Sequence, residues 1–180
     1  GYNKDYVSFF IQEMAPCVDY NKKIFLEAKD RVASSPNGNG GWFSSLKKAG
    51  LSDKIERDGI EWLNVFAVDN VLQKIADPCF IGAVIATGSQ SGAKVVSKAA
   101  PDEKVGVLCL EDGRPSIVEY YEMTEEMTTL RDESGRLAYN YGVILNYLFR
   151  VDSLEDSVGK TLPVHVVEKK IPYIDENGSY

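Results

Sequence analysis

Apolar and polar residues follow each other along the first hundred residues in blocks that predict strands and helices in alternation. Runs of β-branched and aromatic residues, which are typical of buried strands, occupy residues 6–12, 60–70 and 93–98. Apolar positions at helical spacing predict helices over residues 42–50 and 70–88, the second interrupted at Pro78. Gly50 stands where a C-terminal cap of the first helix belongs. Strands that alternate with helices predict an α/β fold with a mainly parallel sheet.

The second half of the chain contains a hairpin signal. Two strand-like runs, at residues 104–110 and 116–123, flank the dipeptide Asp112-Gly113. Asp-Gly favours the tight turn of an antiparallel hairpin, because both residues tolerate positive φ. We expect this hairpin to be an insertion or an edge ribbon of the sheet.

Two residues are candidate helix N-caps, since serine and threonine oxygens accept hydrogen bonds from free helical N–H groups. Ser52 predicts a short helix that ends near Asp58, and Thr124 predicts a solvated helix over residues 124–133. The apolar run at residues 143–149 predicts a further short helix.

The segment SSPNGNGGWF, residues 34–43, places unusual conformational freedom directly before a Trp-Phe pair. Gly38, Gly40 and Gly41 indicate a backbone that adopts positive φ or passes very close to another group, where Cβ atoms would interfere. The segment lacks the Lys-Ser/Thr of a P-loop and the spacing of a dinucleotide fingerprint.

Composition limits the functional classes. The net charge of −7 argues against nucleic-acid and anionic-membrane surfaces, and no apolar run reaches transmembrane length. The three cysteines have no metal-like spacing, so we expect them to be reduced and the protein to be cytoplasmic. The chain begins without Met and with a strand-like segment, which suggests a piece of a longer protein.

Asp69 is the main candidate for chemistry. It follows the apolar run that ends in NVFAVDN, and ligands collect at the carboxyl ends of strands in α/β sheets. A carboxylate there suits Mg²⁺, but Asp69 is equally placed to cap a following helix, and the residues alone favour the cap. His165, the only histidine, has no partnered nucleophile and is read as structural.

Seven blocks taken in order carry a resemblance to a known family: FFIQEMAPC, SSPNGNGGWF, FAVDNVLQKIADPCFIG, GAKVVSK, VGVLCLEDGRPSIVEYYEM, GRLAYNYGVILNYLF and LPVHVVEKKIPYID. Together they resemble the eukaryotic-type UDP-N-acetylglucosamine pyrophosphorylases nearly from end to end. The resemblance implies a Rossmann-like nucleotidyltransferase fold of three α/β/α layers. Residues 1–180 would form a single partial catalytic domain. The family's Gly-rich nucleotide loop would precede them and its late lysines would follow.

The resemblance also implies roles for individual residues. Asp69 matches the family's metal-binding and catalytic aspartate, which makes the Mg²⁺ role outweigh the cap. Matches to nucleotide-binding positions are Gln12, Gly38 and Ala67. Matches to sugar-binding positions, with Asn140 added as a neighbouring candidate, are Asn39, Gly106, Glu119, Tyr120 and Asn140.

The implied reaction is uridylyl transfer from UTP to N-acetylglucosamine-1-phosphate, with Mg²⁺ as cofactor. The implied partners are UTP and the sugar-1-phosphate, with no nucleic acid and no membrane. Such a step needs positioning and charge neutralisation rather than a protein nucleophile. The isolated chain is expected to be inactive, because it would lack part of the phosphate-binding machinery.

Three positions depart from the family pattern and bear on the sugar. Val143 stands where relatives carry an asparagine that contacts the sugar, Tyr147 replaces a histidine, and Tyr121 replaces a serine. We expect Asn140 or Tyr147 to compensate for the asparagine. Two alternatives therefore stay open: a pyrophosphorylase for another hexose-1-phosphate, and a non-catalytic remnant.

Overall fold

The computed structural model describes residues 2–158, 160 and 166–175. The chain divides into two compact units, the first made of Gly1–Ile60 with Ser157–Tyr180 and the second of Glu61–Asp156. His165 lies outside the described residues, so its predicted structural role stays a prediction. The single partial domain expected for residues 1–180 also stays a prediction, because a compact unit is not by itself a domain.

The described part of the first unit contains short strands, two helices and a 3₁₀ turn. They are β1 (Met14–Pro16), β2 (Leu26–Ala28), β3 (Arg31–Val32), β4 (Ser34–Pro36), the 3₁₀ turn Asn39–Gly41, α1 (Trp42–Lys48) and α2 (Ser52–Arg57). β1 pairs with β4 and β2 with β3, both antiparallel. The Gly-rich loop therefore begins at a strand that is paired to the N-terminal segment.

The strand predicted for residues 6–12 is wrong. These residues form a turn and irregular backbone, and the side chains of Phe9 and Ile11 are 77% and 90% exposed. β1 begins only at Met14, where β4 supplies a pairing partner. High strand propensity does not make a strand without a neighbour and a buried face.

Both helices of the first unit end in the same glycine motif. After α1, Gly50 has φ +74°, its N–H donates to the Lys47 carbonyl, and the next N–H donates to Leu46. Gly59 ends α2 in the same way, with φ +62°. This is the Schellman arrangement, which satisfies carbonyls at the helix end, and it confirms the Gly50 prediction. The cap predicted at Ser52 is wrong, because α2 already includes Ser52.

The second unit holds a five-stranded sheet with helices between its strands. Its elements are β5 (Trp62–Phe66), α3 (Pro78–Ala86), β6 (Ser91–Ser97), β7 (Val107–Glu111), β8 (Arg114–Val118), α4 (Glu125–Thr129), β9 (Tyr141–Arg150) and α5 (Val151–Ser157), whose last residue is assigned to the first unit. β9 lies between β6 on one edge and β5 and β7 on the other, and β8 follows β7.

The mainly parallel pairing predicted for the sheet does not hold, since every ladder in the described residues is antiparallel. β5 and β6 do run in the same direction, as strands joined by the crossover helix α3 should. β9 inserts between them and runs the opposite way. The elements β5, α3 and β6 thus form a split βαβ unit. The local sequence pattern did not reveal which strands are neighbours in the sheet.

The helix predicted for residues 143–149 is wrong as well, since these residues belong to β9. β9 is hydrogen-bonded to other strands on both of its edges. The periodicity of a short, continuous apolar run does not distinguish such a buried strand from a buried helix. Leu145 has φ +49°, and the pairing with β6 shifts register between Val143 and Tyr147. β9 therefore carries a bulge in its middle.

Two local predictions of the second unit are confirmed. Asp112 and Gly113, with φ of +50° and +76°, join β7 to β8 in a two-residue turn. Thr124 caps α4, since its Oγ1 accepts from the Met127 N–H at 3.2 Å. No helix in the described ranges is long and apolar enough to cross a bilayer.

α3 packs directly on β6 at a glycine. A Cβ at Gly92 would overlap Val84 Cγ2 and lie 3.2 Å from Phe80 Cε2. Lys94 forms an ion pair with Asp77 at 2.8 Å, and its ammonium lies over the Phe80 ring. These contacts hold α3 against the sheet, and α3 begins shortly after the segment that carries Asp69.

Candidate functional site

The Gly-rich loop is held by one of the predicted nucleotide residues. Gln12 Nε2 donates a hydrogen bond of 2.6 Å to the Gly38 carbonyl, across 26 positions of sequence. Gly38 has φ +91°, so the predicted positive φ is confirmed there. Apart from its two chain neighbours, no described residue has a heavy atom within 4 Å of the position that a Cβ at Gly38 would take, and a ligand has room beside the backbone.

Asn39 begins the 3₁₀ turn that follows Gly38, and its side chain is exposed. The close approach expected of the loop occurs at Gly41, and the neighbouring group belongs to the loop itself. A Cβ at Gly41 would lie 3.2 Å from Asn37 Oδ1. Gln12, Gly38 and Asn39 thus lie together in the first unit and present an amide side chain and an open backbone.

Asp69 lies in an irregular segment, residues 67–76, which we call the Asp69 segment. It starts where β5 ends, as predicted, and the Ala67 N–H donates to the Leu145 carbonyl of β9 at 3.2 Å. Asp69 is exposed, and within the described residues its carboxylate has neither a hydrogen bond nor an ion pair. The cap alternative is wrong, because the next helix is α3, whose cap is Asp77.

The residues around Asp69 fit one particular mode of Mg²⁺ binding. No group of three or more His, Cys, Asp or Glu side chains placed for a metal occurs in the part of the chain that the structure describes. Mg²⁺ is commonly held by one or two carboxylates while substrate phosphates and water complete its shell. The uncommitted carboxylate of Asp69 suits that mode, whereas a metal held entirely by these side chains would not fit.

Gly106, Glu119 and Val143 meet in the second unit and form what we call the Glu119 cluster. A Cβ at Gly106 would lie 3.3 Å from both Glu119 Oε2 and Val143 Cγ2. Gly106 is buried, whereas Glu119 and Val143 are half-buried. The absence of a side chain at Gly106 therefore lets Glu119 and Val143 pack closely over its backbone, and the half-buried carboxylate lies next to the methyl groups of Val143.

Two tyrosines accompany this carboxylate. Burial first and the Glu119 charge second raise the pKa of the Tyr147 phenol. Burial and the carboxylates of Glu119 and Glu122 likewise raise the pKa of the Tyr121 phenol. Both hydroxyls are therefore neutral donors at neutral pH. Tyr120 stacks edge-on against Tyr121 with ring centroids 5.2 Å apart and is 46% exposed.

Asn140 has a structural bond to the sheet. The Lys98 N–H donates both to the Asn140 carbonyl at 2.9 Å and to its Oδ1 at 3.1 Å. The amide oxygen that a sugar hydroxyl would need is already engaged at the end of β6. Asn140 is therefore less available than expected to compensate for Val143, and Tyr147 remains the other candidate.

The predicted site residues fall into two sets. Gln12, Gly38 and Asn39 belong to the first unit, and all the others belong to the second. No motif pointed to Asn64, whose side chain joins β9 to the Asp69 segment. The only available signal was an asparagine in the middle of a run that otherwise predicts a buried strand.

Comparison with solved structures defines the class of protein. The structure of a putative UDP-N-acetylglucosamine pyrophosphorylase from Entamoeba histolytica matches with a TM-score of 0.87 at 37% identity. The match covers 99% of this chain and 44% of that one. The chain therefore has the α/β fold of the nucleotidyltransferases, which confirms the predicted class apart from the mainly parallel pairing.

The family follows from the sequence. The family described as UTP–glucose-1-phosphate uridylyltransferase matches residues 1–179, and the chain belongs to it. A human protein named UDP-N-acetylhexosamine pyrophosphorylase-like protein 1 is 43% identical over 176 residues, which cover 96% of this chain and 35% of that protein. The UDP-N-acetylglucosamine pyrophosphorylase of Saccharomyces cerevisiae is 38% identical over 186 residues, covering 100% of this chain and 39% of that enzyme.

These comparisons confirm the family that the seven blocks indicated. The chain spans 35% and 39% of the length of these two relatives, so their activities belong to longer proteins.

Proposed function

We propose that the protein carrying this chain transfers the uridylyl group of UTP to N-acetylglucosamine-1-phosphate and releases pyrophosphate. The observation that carries the proposal is the yeast UDP-N-acetylglucosamine pyrophosphorylase, which matches this chain along its whole length. The open backbone at Gly38 and the half-buried carboxylate of Glu119 support it, since a nucleotide sugar offers hydroxyl and amide groups to both.

In the proposed reaction a phosphate oxygen of the sugar phosphate attacks the α-phosphorus of UTP. The bond from that phosphorus to the bridging oxygen breaks, and pyrophosphate leaves with the electron pair. Gln12 holds the Gly38 backbone in the shape that accepts the nucleotide, and Glu119 accepts a hydrogen bond from a sugar hydroxyl. Asp69 would hold Mg²⁺, which neutralises phosphate charge when bound. No residue of this chain acts as a nucleophile.

The proposal includes the partners and the location. UTP and the sugar-1-phosphate are the substrates. The net charge of −7 supports the absence of a nucleic-acid surface. The free thiols of Cys17, Cys79 and Cys109 are compatible with the reducing conditions of the cytoplasm, which is the location that we propose.

A second candidate keeps UTP and changes the sugar. Within the Glu119 cluster, Val143 contributes methyl groups at a position where the family resemblance implies an asparagine. An apolar side chain cannot form a hydrogen bond with an acetamido group. A hexose-1-phosphate without that group would lose nothing against Val143. An unmet polar partner costs about 1–3 kcal/mol, roughly ten- to a hundredfold in specificity.

The test is kcat/KM for a panel of sugar-1-phosphates on the full-length protein and on its Val143→Asn variant. We expect N-acetylglucosamine-1-phosphate to be the best substrate of the parent, and Val143→Asn to widen its lead over glucose-1-phosphate by about tenfold. If glucose-1-phosphate is better in the parent and Val143→Asn reverses the order, the second candidate is correct. Absence of UDP-sugar synthesis with every sugar would favour the non-catalytic alternative.

A further inference from the structure

The Asp69 segment has little packing of its own in the described structure. Val68, Val71 and Leu72 are about nine-tenths exposed, at 90%, 88% and 89%. Apolar side chains that remain in water contribute almost nothing to holding a segment in one conformation. The position of Asp69 therefore depends on hydrogen bonds to the backbone of the segment.

Asn64 supplies a bond at the far end of the segment. It lies in β5 and its Oδ1 accepts from the Ala76 N–H at 3.0 Å. Its Nδ2 donates to Asn146 Oδ1 and to the Tyr147 carbonyl, both at 2.9 Å. One half-buried side chain thus ties the end of the Asp69 segment to the strand at the centre of the sheet.

The near end of the segment is tied by two further bonds. The Ala67 N–H donates to the Leu145 carbonyl of β9, and Gln73 Nε2 donates to the Ala67 carbonyl at 2.9 Å. The backbone of residue 67 is therefore satisfied on both sides, and the segment is closed on itself by Gln73. Asp69 lies between these two attachments.

The partner of Asn64 on β9 is enclosed by the protein. Asn146 is fully buried, with no exposed surface, and it follows the bulge at Leu145, which has φ +49°. A fully buried side chain in a close-packed interior is restricted to few conformations. The bond from Asn64 therefore transmits the position of the central strand to Ala76 rather than joining two mobile groups.

We infer that Asn64 is a positioning residue for Asp69, which it acts on by fixing residues 67–76 to β9, with Gln73 closing the same segment at its other end. The inference rests on the role of Asp69 in the proposed function. Groups that orient a ligand-binding side chain without touching the ligand alter the metal-dependent step when they are removed.

The test combines amide hydrogen exchange with kinetics on the full-length protein. In Asn64→Leu, a variant of similar volume without polar atoms, we expect the amides of residues 68–76 to exchange at least about tenfold faster. Exchange in β6 and β9 should change less than about twofold. In the same variant kcat should fall about tenfold while the KM for UTP stays within about twofold, because Asp69 is displaced and the nucleotide loop is not.

Two further variants keep the result interpretable. Val84→Ala is the matched control, because it removes buried methyl groups from α3 in the same unit. It should speed exchange in α3 and β6, leave residues 68–76 no looser than their neighbours, and keep kcat within about twofold. Gln73→Met removes the bond to Ala67 outside the sheet, and it should reproduce the selective loosening and the loss of kcat even if Asn64→Leu does not fold.

Unchanged exchange of residues 68–76 in a folded Asn64→Leu, or in Gln73→Met if that variant alone folds, overturns the inference. So does a selectively loosened segment with normal kcat, provided that Asp69→Asn itself lowers kcat. If Asp69→Asn leaves turnover intact, the proposed role of Asp69 fails, and the positioning of Asp69 loses its catalytic meaning. The exchange data alone would then show whether the attachment exists.

Discussion

The contact between α3 and β6 at Gly92 allows a sharp test of the fold. Any Cβ at residue 92 would overlap Val84 Cγ2 and press on Phe80 Cε2 at 3.2 Å. Val84 is buried and cannot swing into solvent. Gly92→Ala must therefore move α3 or distort a side chain, and such overpacking costs about 1–3 kcal/mol in the free energy of unfolding.

The double variant separates this clash from other effects. Val84→Ala alone leaves a cavity and should cost about 1–3 kcal/mol. In Gly92→Ala/Val84→Ala the new methyl group occupies part of that space. The double variant should therefore lose less stability than the two single losses added together, with a coupling of at least about 1 kcal/mol.

The assay is equilibrium urea unfolding of the 180-residue chain, which has two tryptophans. Unfolding is detected by the fluorescence of Trp62 in a Trp42→Phe background. Trp62 belongs to β5 in the same unit as Gly92, whereas Trp42 belongs to the other unit. A Gly92→Ala protein as stable as the parent refutes the packing of α3 on β6. Additive losses in the double variant would show that Val84 is not the group that resists the new methyl.

Two other predictions concern single carboxylates. In the full-length protein Asp69→Asn should lower kcat at least about tenfold while UTP binding changes little, because the amide keeps the shape but loses the charge that Mg²⁺ requires; equal turnover at saturating Mg²⁺ would refute the metal role. Lys94 holds the pKa of the Asp77 carboxyl below its usual range, so the ion pair stabilises the protein above about pH 3.9 and is lost as the pH falls through the lowered pKa. The difference in free energy of unfolding between wild type and Asp77→Asn, measured by urea unfolding, should thus be largest at pH 7 and decrease below about pH 4. A constant difference down to pH 2 would contradict this prediction.

Several elements were predictable because their causes are local. Asp112 and Gly113 form the hairpin turn, Thr124 caps its helix, and Gly50 ends another, each through bonds within a few residues. Family membership was also predictable, since seven ordered blocks carry it. The prediction at Ser52 was wrong, because α2 starts one residue earlier than a serine N-cap at this position would indicate.

The candidate site was predictable as a set of residues but only partly as an arrangement. The bond from Gln12 to Gly38 joins two residues that the family resemblance had placed on the nucleotide. The engagement of Asn140 by Lys98 was not visible in the sequence, and it reduces the capacity of Asn140 to replace the missing asparagine. Whether a polar side chain is free for a ligand depends on neighbours that are distant in sequence.

The sequence by itself determined the turns, most helix ends, the family and the chemical types available to a ligand, because each of these depends on short-range geometry or residue identity. Only the tertiary structure decided that residues 143–149 are a strand, since pairing on both edges outweighs an apolar pattern that fits either state. It also decided which side chains hold the Asp69 segment. Asn64 and Asn146 are 82 positions apart, and their bond exists only because β5 and β9 pair.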